Sequence, residues 1–190
     1  MKSKTGTEIV VGVNAFESEL KRLSNGAVSI KRVHSDGAKE LNKGAVGQLC
    51  EERGWTNTNS GGYRSNANGK TERYVRTLFE KVRSALITAT GGDDYYEDLW
   101  GLAVKYAAHI LVRTKRSGAH GKSAKSPYEE LTGKEYMWGS DDLIFGCYVL
   151  SFVAKPTRDN KTSPVADRAI WVGRCDSVSG GHWVVPIVWD

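Results

Sequence analysis

From Thr5 to Leu23 the apolar residues Ile9, Val13, Phe16, Leu20 and Leu23 recur at helical intervals, with Glu17, Glu19, Lys21 and Arg22 elsewhere around the wheel. This predicts an amphipathic helix stopped at Asn25-Gly26. Ala27 to His34 is β-branched around Val28, Ile30 and Val33 and reads as a strand that delivers Asp36 just past its C-terminal end. Helical spacing returns over 38–53 through Leu41, Ala45, Val46 and Leu49, and Gly54 closes it before a short piece around Trp55. From Asn57 to Asn68 almost every residue is Asn, Ser, Gly, Thr, Tyr or Arg, which predicts a mobile polar surface loop.

After Asn68-Gly69 a long helix is expected, its buried stripe made by Val75, Leu78, Phe79, Val82 and Leu86, with Glu72, Arg73, Arg76, Glu80 and Arg83 off that stripe. Gly91-Gly92 breaks it. A second helix from about Asp94 to Arg113 buries Leu99, Ala103, Val104, Ala107, Ile110 and Leu111. Beyond Ser140 the pattern changes to short apolar runs, 143–153, 168–174 and 182–189, at the spacing of a small antiparallel sheet or barrel. The resulting division is 1–139 for an α/β core with trailing helices and 140–190 for a β-rich region.

Charge sharpens this picture. Residues 1–90 hold 15 Lys and Arg against 9 Asp and Glu, 91–139 hold 7 against 7, and 140–190 hold 5 against 6. The basic excess sits in the first half, where it would attract a polyanion by releasing counterions. The longest apolar runs fall far below the roughly 20 residues that span a bilayer, so no membrane partner and an intracellular setting are expected. Cys50, Cys147 and Cys175 are odd in number and widely separated, so they suggest neither a disulfide framework nor a zinc site. His34, His109, His120 and His182 show no paired ligand spacing. Trp100, Trp171, Trp183 and Trp189 read as packing residues rather than a base-stacking platform.

Two acids stand where chemistry is expected, Asp36 at a strand end and Glu72 at the start of a long helix. If the helix packs on the sheet they can converge and bind a divalent metal through oxygen. The plain alternative is that Asp36 caps a helix beginning near Ala38 and Glu72 pairs with Arg76.

The segment His34-Ser35-Asp36-Gly37-Ala38-Lys39-Glu40 resembles the Ser-Asp-Asn-Gly-Gly-Glu signature of retroelement integrases, and Glu72 follows Asp36 after 35 intervening residues, the family's spacing. The run Asn68-Gly69-Lys70-Thr71-Glu72-Arg73-Tyr74-Val75-Arg76-Thr77-Leu78 is similar to the family's Asn-Gly-x-x-Glu-Arg-x-Asn-Arg-Thr-Leu. Trp100 through Arg113 resembles a helix of copia-type elements, and Ser126-Pro127-Tyr128-Glu129, Thr132-Gly133-Lys134, Phe145-Gly146-Cys147 and Ala169-Ile170-Trp171-Val172-Gly173 follow in the family's order.

The resemblance implies an α/β fold, an RNase H-like integrase core of a copia-type retrotransposon followed by a small SH3-like or antiparallel β-rich region. It implies Asp36 and Glu72 as catalytic ligands of Mg2+ (or Mn2+), with Arg64, Asn68, Lys70, Arg73 and Arg76 contacting DNA. It also implies integration of element DNA in the nucleus and a homo-oligomer. The family's first catalytic Asp lies upstream of Asp36, yet Asp36 is the first aspartate here, so the core is read as N-terminally truncated. A catalytically inactive remnant that at most binds nucleic acid, and an unrelated α+β interaction module, are the competing readings.

Overall fold

The computed structural model describes residues 6–35, 44–59, 69–91, 97–114, 125–137, 139, 142–158, 160–162, 164–175, 178 and 180–187. The chain divides into two compact units, Met1–Val75 with Pro127–Lys134, and Arg76–Ser126 with Glu135–Asp190. Within the second unit, helices from the middle of the chain pack with the C-terminal sheet.

In the first unit, α1 (Gly6–Leu23) ends where Asn25 and Gly26 take positive φ of 49° and 79°. Ser24 Oγ bonds Leu20 O and receives Val28 N–H, which satisfies the groups left open by that turn. The strand β1 (Arg32–Ser35) leads to α2 (Ala45–Arg53), closed by Gly54 in the left-handed region at φ 66° as the spacing predicts. The strand β2 (Thr56–Asn59) then runs parallel to β1, Arg32 facing Thr56 and Ser35 facing Asn59. Two parallel neighbours joined through a helix form a β-α-β unit. Asn57, Thr58 and Asn59 are therefore strand residues and not the start of a loop, while 60–68 lie outside the described residues. The short α5 (Pro127–Thr132) packs on α1, with Pro127 at its first position, where the missing N–H costs nothing.

The apolar content of this unit is thin. Val46, Leu49 and Cys50 are buried on α2, whereas Phe16, expected inside, is 61% exposed and Glu17 is buried in its place. The polarity of Glu17 is met by Lys21 at 2.6 Å and Arg53 at 2.9 Å, the latter tying α1 to α2.

The second unit has a contiguous core. The long α3 (Gly69–Thr90) enters this unit at Arg76 and contributes Val82 and Leu86. A 3-10 turn (Glu97–Leu99) and α4 (Trp100–Thr114) add Leu99, Ala103 and Ala107. Phe79 and Val75, expected in the buried stripe, are 44% and 42% exposed. The sheet runs β3 (Tyr148–Phe152), β4 (Ala166–Cys175), β5 (Gly181–Pro186), antiparallel in that spatial order. Trp171 is 1% exposed, packs edge-on to Tyr106, and donates its indole N–H to His182 Nδ1 at 2.9 Å. A bulge falls between Trp171 and Gly173, and Gly173 absorbs it at φ 145°, a conformation other residues rarely take. Trp100 and Trp183 are 42% and 55% exposed, so only Trp171 among the described tryptophans of that expectation is core.

Candidate nucleic-acid and metal site

Parallel strands that are neighbours end on the same side, and in open α/β sheets ligands lie beyond those carboxyl ends. Ser35, the last residue of β1, is buried, and the next residue in the chain is Asp36. Asp36 itself, like Arg64 and Asn68, lies outside the described residues.

Glu72 occupies the first turn of α3, where the helix dipole favours a carboxylate, and its side chain is exposed. It makes no ion pair with Arg76, so the i, i+4 alternative is not what the structure contains. Lys70, Arg73 and Arg76 are exposed on the same stretch. Arg73 Nε donates to Gly69 O at 3.1 Å, which folds that guanidinium back along its own helix. The helix start thus carries three cations and one acid within seven residues.

Among the described residues no three His, Cys, Asp or Glu side chains gather as a metal ligand set. Glu72 alone is one oxygen-donor group, and a hard dication in such sites takes one or two carboxylates together with substrate phosphate. The described residues therefore do not complete a metal site.

His34 ties the strand pair together: its Nδ1 is 2.9 Å from Thr58 Oγ1, and Thr58 Oγ1 lies 3.3 Å from Val33 O. With the single hydroxyl proton given to Val33 O, Thr58 accepts from an Nδ1–H imidazole. That side-chain link lies two residues before Asp36, across strands whose own side chains are mostly polar.

No family model matches the chain. It is 29% identical over 154 residues to the retrovirus-related Pol polyprotein from transposon TNT 1-94 of Nicotiana tabacum, a match that covers 80% of this chain and 11% of that polyprotein. A chain of the simian T-cell lymphotropic virus intasome in complex with PP2A regulatory subunit B56 gamma superposes with a TM-score of 0.52 at 11% identity, covering 98% of this chain and 63% of that one. The core therefore resembles that intasome chain in fold. The catalytic core domain of BIV integrase also matches, with a TM-score of 0.43 and 19% identity over 69% of this chain and 73% of that one. The chain spans about a ninth of the polyprotein it resembles.

Sequence reasoning missed three groups in this chain. The link between His34 and Thr58 requires the pairing of β1 with β2, and Thr-Asn-Thr-Asn carries no apolar alternation to announce a strand. Asp142, whose side chain is fully buried, accepts from the Tyr136 hydroxyl and lies 3.2 Å from His109 Nε2, joining residues 33 apart with no local signal. Burial, then the bond to Asp142, pushes the Tyr136 hydroxyl well above its ordinary range. Gly146, at φ 82°, sits so close to α3 that an added Cβ would lie 2.1 Å from Ala89 Cβ. The Phe145-Gly146-Cys147 resemblance was the available signal for that approach. The described cysteines are free thiols, and burial pushes both Cys50 and Cys147 up, so neither is an activated nucleophile.

Proposed function

We propose that this chain is an integrase segment whose parent protein joins element DNA to target DNA by metal-dependent phosphodiester strand transfer in the nucleus, and which by itself binds nucleic acid. The observation that carries the reading is the parallel pairing of β1 with β2, which ends one strand immediately before Asp36. In this reading Asp36 and Glu72 ligate Mg2+ or Mn2+, and Arg64, Asn68, Lys70, Arg73 and Arg76 contact DNA phosphates. Two such ions would hold the attacking and leaving oxygens of the exchange. The division into a core over 1–139 and a β-rich region over 140–190 belongs to the same proposal, as do the homo-oligomer and the copia-type origin.

These 190 residues alone are expected to show no magnesium-dependent strand transfer, because the family's first catalytic Asp has no counterpart among them. They are expected to bind duplex DNA weakly, without sequence preference, and with affinity falling as salt rises. Fluorescence anisotropy on a labelled duplex checks this. The triple change K70A/R73A/R76A should flatten the slope of log affinity against log salt by about 0.9 for each phosphate no longer neutralised. Affinity that does not change between low and moderate salt would sink the DNA-binding reading.

The second reading is an inactive remnant that at most binds nucleic acid. Manganese separates the two. Paramagnetic broadening of the backbone signals of residues 36 and 72 at the same low Mn2+ concentration supports the ligand pair, and broadening at neither supports the remnant.

A further inference from the structure

Among the described residues, no strand covers the β3 edge of the C-terminal sheet. At the two ends of β3, Trp171 N–H of β4 donates to Cys147 O and Val153 N–H donates to Val165 O, so the odd-numbered residues of this stretch bond to β4. Alternation then turns the N–H and C=O of Tyr148, Leu150 and Phe152 outward, on the side where β3 has no neighbouring strand among the described residues. Their side chains share one face and are 79%, 74% and 73% exposed. Exposed edge strands are ordinarily blunted by a charge, a proline or a bulge. Tyr148-Val149-Leu150-Ser151-Phe152 contains none of these, and the one described charge over these rings is Arg158, which lies 5.3 Å from the Phe152 ring centre at the strand's end.

We infer that β3 is a dimer interface, pairing antiparallel with β3 of a second copy about a two-fold axis at Leu150. That register sets Leu150 opposite Leu150 of the partner subunit and Tyr148 opposite Phe152 of the partner subunit, so each apolar side chain meets an apolar one across the strands. Each of the three pairs exchanges two backbone hydrogen bonds, and all the outward groups are satisfied.

Charge favours a second copy over a cationic peptide. Arg168 lies opposite Leu150 on the same face and lines the shallow groove beside β3 with Ile187. In the paired sheet the two Arg168 side chains stand three strand spacings apart, about 14 Å, beyond the screening length of roughly 8 Å at physiological salt. The three exposed side chains amount to on the order of 400 Å² per copy, about half the ~800 Å² per partner of a standard interface. The dimer is accordingly a weak one. The interface is independent of the DNA-binding reading.

Sedimentation velocity of the full chain from about 1 to 200 μM tests it. A mass rising from monomer to dimer is expected, with Leu150→Lys weakening association at least tenfold while the circular dichroism melt stays intact. Register is read separately with Leu150→Cys in a background carrying Cys147→Ser and Cys175→Ser. Cα atoms in a hydrogen-bonded antiparallel pair are about 5.5 Å apart, inside the range a disulfide spans. Oxidation should therefore link two copies at position 150, and not at position 148, where Tyr148→Cys sits about 13 Å along the strand from its own mate. A monomer at every concentration, association indifferent to Leu150→Lys, or crosslinking at 148 rather than 150 overturns the inference.

Discussion

The two compact units are stabilised by different means. Arg76–Ser126 with Glu135–Asp190 is built around an apolar cluster, Val82, Leu86, Leu99, Ala103, Ala107, Phe145 and Val172, with Trp171 and Tyr106 against it. Met1–Val75 with Pro127–Lys134 buries fewer apolar side chains among the described residues and relies on Glu17 held between Lys21 and Arg53. Partly exposed ion pairs contribute little, with a median near 0–1 kcal/mol, while a buried Trp or Phe contributes several times that. Among the described residues, the unit that carries the candidate acids is therefore the one with the weaker internal support.

Mutations sharpen the contrast. Trp171→Ala should be the most damaging, costing about 4 kcal/mol in urea unfolding through the cavity it opens. Gly146→Ala should cost about 3 kcal/mol, because the added methyl overlaps Ala89 and the backbone is held at positive φ. Asp142→Ala removes the acceptor of the Tyr136 hydroxyl and a partner of His109, both half-buried, and should cost about 2 kcal/mol. A loss below about 0.5 kcal/mol in any of these would break the claim that the C-terminal unit is the better packed.

The smallest effect belongs to the other unit. The hydrogen bond from Lys21, and then the field of Arg53, hold the Glu17 carboxyl below its ordinary 4.5 despite its burial. A carboxyl whose pKa falls on folding adds stability that is fully present above its unfolded pKa and is lost as pH drops through the folded value. Glu17→Gln should thus lower the melting temperature slightly at neutral pH and by less at pH 3. A melting loss that is equal at both pH values would show that Glu17 acts by packing alone.

Periodicity made the three longer helices legible, because amphipathic spacing over four or more turns outweighs local noise. Its failures are instructive. Phe16 fits the stripe of α1 but is exposed, since what decides burial is the partner surface and not the helix's own pattern. Strand β2 escaped notice because Thr-Asn-Thr-Asn is polar and is recognisable only through its register with β1. Glu72 at the first turn of α3 was legible from Asn68-Gly69 and the motif that follows, whereas the link from His34 to Thr58 was not, since it depends on a pairing across 24 residues. The geometry between residues 36 and 72 lies outside what the described residues contain.

The β-α-β connection also bears on how the chain acquires its structure. Strands β3, β4 and β5 are successive neighbours and can zip together through short reversals, while β1 cannot meet β2 until the intervening segment has folded back over it. Closing that longer loop before any ladder bond rewards it slows the step. Chains refolding from denaturant should therefore pass through an interval in which the meander is formed and the parallel pair is still open, with the strand end before residue 36 unassembled.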